Sequence, residues 1–172
     1  MANMSATLLV AVGDSLVCLK LIGRANLTTS ADFKPLVNSL QAKGHGRFVL
    51  DLSECVGMDS TFLGMLSAFA QRLGEAVNGA ARIDLLNANP RVIESLDNLD
   101  ALKRFNLVSG AVAFSGRYEP VPPGTFTKNE LASHSLEAHR FLMQAHPENA
   151  RKFQDVVRML EEEVAKGVAT PS

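Results

Sequence analysis

Phe48-Val49-Leu50-Asp51-Leu52-Ser53-Glu54-Cys55-Val56-Gly57-Met58-Asp59-Ser60-Thr61-Phe62-Leu63-Gly64 is the stretch on which the fold turns. Phe48, Val49, Leu50 and Leu52 form the short apolar run of a strand in a sheet covered by helices. The period then changes. From about residue 62 to 77, Leu63, Leu66, Phe69, Ala70, Leu73 and Val77 recur at helical spacing, with Gln71, Arg72, Glu75 and Asn78 on the other side. Asp59, Ser60 and Thr61 therefore fall at a strand-to-helix junction, where free amides favour an oxygen cap or an anion.

Working outward, residues 7–12 and 16–22 read as strands joined by Gly13-Asp14-Ser15, which predicts a hairpin. Gly23-Arg24-Ala25-Asn26 breaks the second strand. Thr29 or Ser30 then caps a helix carrying Phe33, Leu36, Val37 and Leu40, with Pro35 in its early turns. Residues 81–86 alternate like a strand, and Asn87-Ala88-Asn89-Pro90 caps a further helix with Val92, Ile93, Leu96, Leu99 and Leu102 on its apolar side. Residues 106–108 and 111–114 make a last short strand. The order β-β-α-β-α-β-α-β over residues 5–115 predicts a small α/β domain with a mixed sheet flanked by helices.

Pro120, Pro122, Pro123 and Gly124 mark residues 116–126 as an extended linker. Residues 127–167 read as an α-helical hairpin. Thr127-Lys128-Asn129-Glu130 is a capping box for a helix over 128–145, His146-Pro147 interrupts it, and Ala150, Phe153, Val156, Val157, Leu160 and Val164 form an amphipathic stripe on the next helix. A pair of helices this small holds itself together poorly, so it is expected to pack on the first domain, on a second copy as a homodimer, or on a partner.

A chain of 172 residues with 47% apolar content can bury a core without staples. Its net charge of −1 gives no electrostatic reason to expect nucleic acid or an anionic membrane. No run approaches the roughly 18 apolar residues of a membrane span, and Met1-Ala2-Asn3-Met4-Ser5 lacks secretory-signal character. Cys18 and Cys55 read as small buried residues in a reducing compartment, and the cytoplasm is the expected location. His45, His134, His139 and His146 lack metal-ligand spacing and are expected to face solvent; no metal and no cofactor are expected. No nucleophile–base or paired-carboxylate constellation can be assembled from spacing, which argues against an enzyme.

The element order and the motif Met58-Asp59-Ser60-Thr61-Phe62-Leu63-Gly64 resemble the STAS domain of bacterial anti-sigma factor antagonists. Gly23 at the second strand and the helix start at Asn89-Pro90 also match the family's pattern. The resemblance implies that Ser60, directly after the motif Asp59, is a phosphoacceptor, with Thr61 a secondary candidate. It implies a partner that is both an anti-sigma factor and a serine kinase, a phosphatase that resets the switch, and regulation of transcription by partner switching. The implied partner-binding residues are Gly23, Arg24, Asn26, Thr28, Met58, Asp59, Ser60, Thr61, Phe62, Leu63 and Gly64. Asn26 stands where the family often carries a carboxylate, and Phe62 stands where it has a small residue, adding bulk beside the acceptor. The C-terminal hairpin lies outside the resemblance.

Two other readings use the same residues. One is a non-phosphorylated STAS module that binds a small ligand or joins a transport or signalling complex, with a cleft between residues 23–29 and the helix start at Asp59. The other is a structural subunit whose hairpin mediates assembly.

Overall fold

The computed structural model describes residues 5–76, 83–111 and 116–169. A six-stranded mixed sheet is ordered β5-β4-β3-β2-β1-β6. Its strands are β1 (Thr7–Val12), β2 (Val17–Ala25), β3 (Phe48–Met58), β4 (Ile83–Leu86), β5 (Asn106–Val108) and β6 (Glu119–Pro120). β1 pairs antiparallel with β2 and β6, and the remaining neighbours are parallel. Helices α1 (Leu27–Ala42), α2 (Ser60–Glu75) and α3 (Pro90–Asn98) make the crossovers, and α4 (Lys128–Ala145) and α5 (Pro147–Ala169) follow as the helical hairpin. The observed class is the mixed sheet flanked by helices that the residue pattern predicts.

Leu19, Leu21, Leu50, Leu52 and Leu85 from the sheet meet Phe33, Phe62, Leu66, Phe69 and Leu96 from the helices in one core. Fully burying side chains of this size is worth about 1.5–3 kcal/mol each. Edge-to-face contacts join Phe33 to Phe62 (centroids 5.3 Å apart) and Phe48 to Phe69 (5.0 Å). The first pair fixes α1 against α2, and the second fixes α2 against β3.

Several expected boundaries move. β2 runs through Gly23 to Ala25, because Gly23, at φ +100°, absorbs a register shift instead of ending the strand. β3 runs six residues past Leu52, to Met58. Asp51 accepts hydrogen bonds from the Ser53 amide and hydroxyl at the other register shift, opposite Lys20 to Ile22, after which Cys55 and Met58 return to the core. The cap of α1 is Asn26, not Thr29 or Ser30: Asn26 Oδ1 accepts from the Thr29 amide while Thr29 Oγ1 accepts from the Asn26 amide. Pro35 consequently lies in the helix interior. α2 begins at Ser60, capped by Asp59.

The linker contributes β6, which adds to the β1 edge, and the Gly124 amide donates to Asp32 on α1. Proline is tolerated there because the edge leaves its missing N–H without a required partner. α3 ends at Asn98, and Leu102 belongs to a single 3-10 turn, Leu102–Arg104. Val77, Asn78, Ala81, Arg82 and most of the expected strand 111–114 lie outside the described residues.

Candidate functional site

The parallel strands β2, β3 and β4 all deliver their helices at one end of the sheet. Three Asx caps collect there. Asn26, Asp59 and Asn89 cap α1, α2 and α3, and the Asp59 amide donates to the Ala25 carbonyl at 2.9 Å while Asn89 Nδ2 donates to the Cys55 carbonyl at 2.8 Å. Asp59 Oδ1 accepts from the Phe62 amide at 2.8 Å, which holds Ser60 as the first residue of α2. An aspartate cap also places negative charge at the positive end of the helix dipole.

Gly23, Asn26, Thr28, Asp59 and Ser60 are half-buried and Arg24 is exposed, whereas Met58, Thr61, Phe62, Leu63 and Gly64 are buried. Phe62 points into the core against Phe33 rather than standing beside the acceptor; position 62 faces the sheet, so its bulk fills the interior. Thr61 and Gly64 face the other way, toward α4.

The C-terminal hairpin packs on α1 and α2, one of the three expected docking sites. Ser60 Oγ lies 2.8 Å from His139 Nε2, and Thr61 Oγ1 lies 3.0 Å from Ser135 Oγ. His139 Nδ1 lies 2.7 Å from the Ser135 carbonyl, which only accepts, so Nδ1 carries a proton, and in the neutral imidazole Nε2 accepts from the Ser60 hydroxyl. The ring edge of His139 rests on Phe153 with centroids 5.0 Å apart, and only 4% of the residue is exposed. A second hydroxyl–imidazole bond joins Ser30 on α1 to His134 Nε2, and Lys34 pairs with Glu137 at 2.6 Å. Burial pushes the His134 pKa down, and Lys34 adds to that effect.

The packing at Gly64 is closer still. A Cβ added there would sit 2.5 Å from the Ala138 carbonyl oxygen and 2.9 Å from its carbon, so the two helix backbones meet where glycine removes the side chain. Farther along, Leu142 is fully buried in the main core. Buried Asn149 donates to the carbonyls of Leu99 and Leu142, at 3.0 and 2.9 Å, fastening the turn between α4 and α5 to the end of α3.

The expectation of solvent-facing histidines therefore fails at His139 and in part at His134. The failure comes from the face that α4 turns inward: Ala132, Ser135, Leu136, Ala138, His139 and Leu142 are its buried residues. Their spacing of three and four was the available signal. Ser60 and His139 form a hydroxyl–imidazole contact that chain spacing hid, and the group orienting His139 is a backbone carbonyl instead of the carboxylate of a catalytic triad.

A cavity of about 610 Å³ lies between the helices, lined in part by Met65, Ala68, Arg72, His134 and Phe141. Neither Ser60 nor His139 lines it. Its cations are engaged, Lys34 with Glu137, Arg72 with Asn38 and Arg140 with Glu161, so the rim presents no cluster of free positive charge to an anion. Cys18 and Cys55 are both buried free thiols whose pKa values burial pushes up. Among the described residues, no helix is long and apolar enough to cross a membrane, and no group of three or more His, Cys, Asp or Glu side chains is placed to hold a metal ion.

This sheet, with its helix starts gathered at one end, is a mixed α/β fold with its caps clustered together. The chain belongs to the STAS domain family, whose model matches residues 8–113. An anti-sigma factor antagonist from Mycobacterium paratuberculosis has a similar structure, at 21% identity and a TM-score of 0.53, covering 62% of this chain and 88% of that one. The anti-sigma factor antagonist SpoIIAA in its unphosphorylated form is similar at 20% identity and a TM-score of 0.52, covering 62% of this chain and 89% of that one. No curated protein sequence matches this chain.

Proposed function

We propose that this protein is a non-enzymatic regulator of the anti-sigma factor antagonist type, which binds an anti-sigma factor with serine kinase activity and is released from it when Ser60 is phosphorylated. A phosphatase restores binding, and the output is transcription regulated by partner switching in the bacterial cytoplasm. The observation that carries this reading is the position of Ser60: first residue of α2, directly behind its Asp59 cap, in a STAS domain whose fold is that of anti-sigma factor antagonists. Thr61, with its hydroxyl buried against Ser135, is the weaker acceptor.

The switch follows from charge. A phosphoserine carries about −1.5 to −2 charges at neutral pH, and here it stands beside Asp59. The helix dipole stabilises that charge by about 0.3–1 kcal/mol in the free protein. In a closed interface the same charge must be desolvated, and a loss of about 3 kcal/mol lowers affinity more than a hundredfold. The binding surface comprises Arg24, Asn26 and Thr28 with Asp59 and Ser60, while Gly23, Met58, Phe62 and Leu63 shape it from beneath and Gly64 extends it under α4.

The test is phosphopeptide mapping of the protein from its native cells beside a Ser60→Ala variant. Phosphate on Ser60 and a Ser60→Asp variant that no longer holds the kinase support the proposal. Equal kinase binding by Ser60→Asp and the unmodified protein sinks it, and the ligand-binding and structural readings then move ahead. A homodimer through the C-terminal helices would use the outer side of α5, where Val156 and Met159 are exposed, because α4 is already engaged. Light scattering of the full chain and of a Met159→Glu variant distinguishes dimer from monomer.

A further inference from the structure

We propose that the α4–α5 hairpin is a built-in mask of the switch surface: when docked it covers the face around Ser60 that a protein partner must reach. Phosphate on Ser60 and the docked hairpin then exclude one another, a step that rests on Ser60 being the phosphoacceptor.

The occlusion is direct. Ser60 spends its hydroxyl proton on His139, and the imidazole 2.8 Å away occupies the space into which a phosphoryl group would extend. That ring is fixed from behind by the Ser135 carbonyl and from the side by Phe153. One turn further along α2, the contact of Gly64 with Ala138 leaves no gap for a partner's side chain.

The character of the covering contacts makes the mask removable at this end. Serine, threonine and histidine side chains supply the bonds of Ser60 to His139, Thr61 to Ser135 and Ser30 to His134. Water replaces such bonds when a surface opens, which limits the net cost of breaking them. The opposite end is different: Leu142 and Asn149 anchor the hairpin in the core and on the α3 turn. The geometry assigns α4 from its start through His139, reached through the segment 121–127, as the part that lifts. A partner that binds only the lifted form sees its affinity reduced by the fraction open, and by linkage its binding holds the mask open.

Two measurements on the full-length chain test this. In a Ser60→Cys variant, native-state alkylation by iodoacetamide, read at residue 60 by peptide mass, should be at least about tenfold slower than in Ser60→Cys/Ala138→Glu, whose added carboxylate has no room against Gly64. Equal rates overturn the mask. Independently, phosphoserine encoded at position 60 should speed hydrogen–deuterium exchange of α4 amides relative to the unmodified chain, and unchanged protection overturns the mutual exclusion even if the Ala138→Glu chain fails to fold. If both measurements succeed but no phosphate is found on Ser60 from native cells, the phosphoacceptor reading fails and the mask stands.

Discussion

Ser60 and His139 are 79 residues apart in the chain and meet through a 2.8 Å hydrogen bond that ties the start of α2 to the middle of α4. The imidazole is buried, so its Nε2 has no ready water to replace the hydroxyl. Ser60→Ala should therefore lower stability by about 1–2 kcal/mol, the cost of a buried acceptor left unmade. Urea denaturation of the two proteins measures it. A change within a few tenths of a kcal/mol would mean that the hydroxyl contributes no net stability.

Gly64→Ala probes the same docking by volume. The new methyl would meet the backbone of Ala138, which cannot rotate away as a flexible side-chain tip can. Overpacking of this kind costs about 1–3 kcal/mol. The expected outcome is a lower unfolding midpoint and faster proteolytic cleavage between residues 121 and 145. Unaltered midpoint and cleavage would show that the helices separate freely at this point.

How far these features could be read in the sequence varies with how local they are. The capping box of Thr127 and Glu130 and the first-turn Pro90 depend on residues within one turn, and both appear in the structure where the pattern places them. The start of α1 is ambiguous in the sequence because Asn26 and Thr29 are both good caps, and only the reciprocal bonds between them show that Asn26 is the cap and Thr29 the third helical residue. The end of β3 is hidden in the sequence because Ser53 and Glu54 look like a loop but are exposed residues of an irregular strand.

The site itself divides in the same way. Asp59 and Ser60 announce themselves by their position after an apolar strand. His139 does not, because a histidine on an amphipathic helix carries no mark of its partner. The buried Ala132, Ser135 and Ala138 show why small residues recur along α4: Ala138 lets it approach Gly64.

Asn149 is the fastening at the other end of the hairpin. Its side-chain amide serves two buried carbonyls from different elements, Leu99 after α3 and Leu142 in α4. Its Oδ1 is buried without a hydrogen-bond partner, so part of the gain is offset. Asn149→Ala should still destabilise by about 2–3 kcal/mol, because the two carbonyls lose their donor and a small cavity opens. Chemical denaturation measures the loss, and a neutral result would mean that water enters and restores both bonds.

The pH dependence of stability should carry the signature of His134. Burial against α1 lowers its folded-state pKa, with Lys34 acting in the same direction and Glu137 and Asp59 opposing. The unfolded chain therefore takes up the proton first as pH falls. The stability held by neutral His134 is fully present above its unfolded pKa of about 6.5 and is lost progressively as pH falls from there through the lower folded value. Between pH 7.5 and 5.5 the native protein should lose more stability than a His134→Gln variant, whose side chain retains hydrogen bonding to Ser30 but cannot titrate. Denaturant midpoints for both proteins across that interval give the comparison. Parallel curves would show that the folded state accepts the proton on His134 as readily as the unfolded chain does, leaving the contact with Ser30 indifferent to its charge.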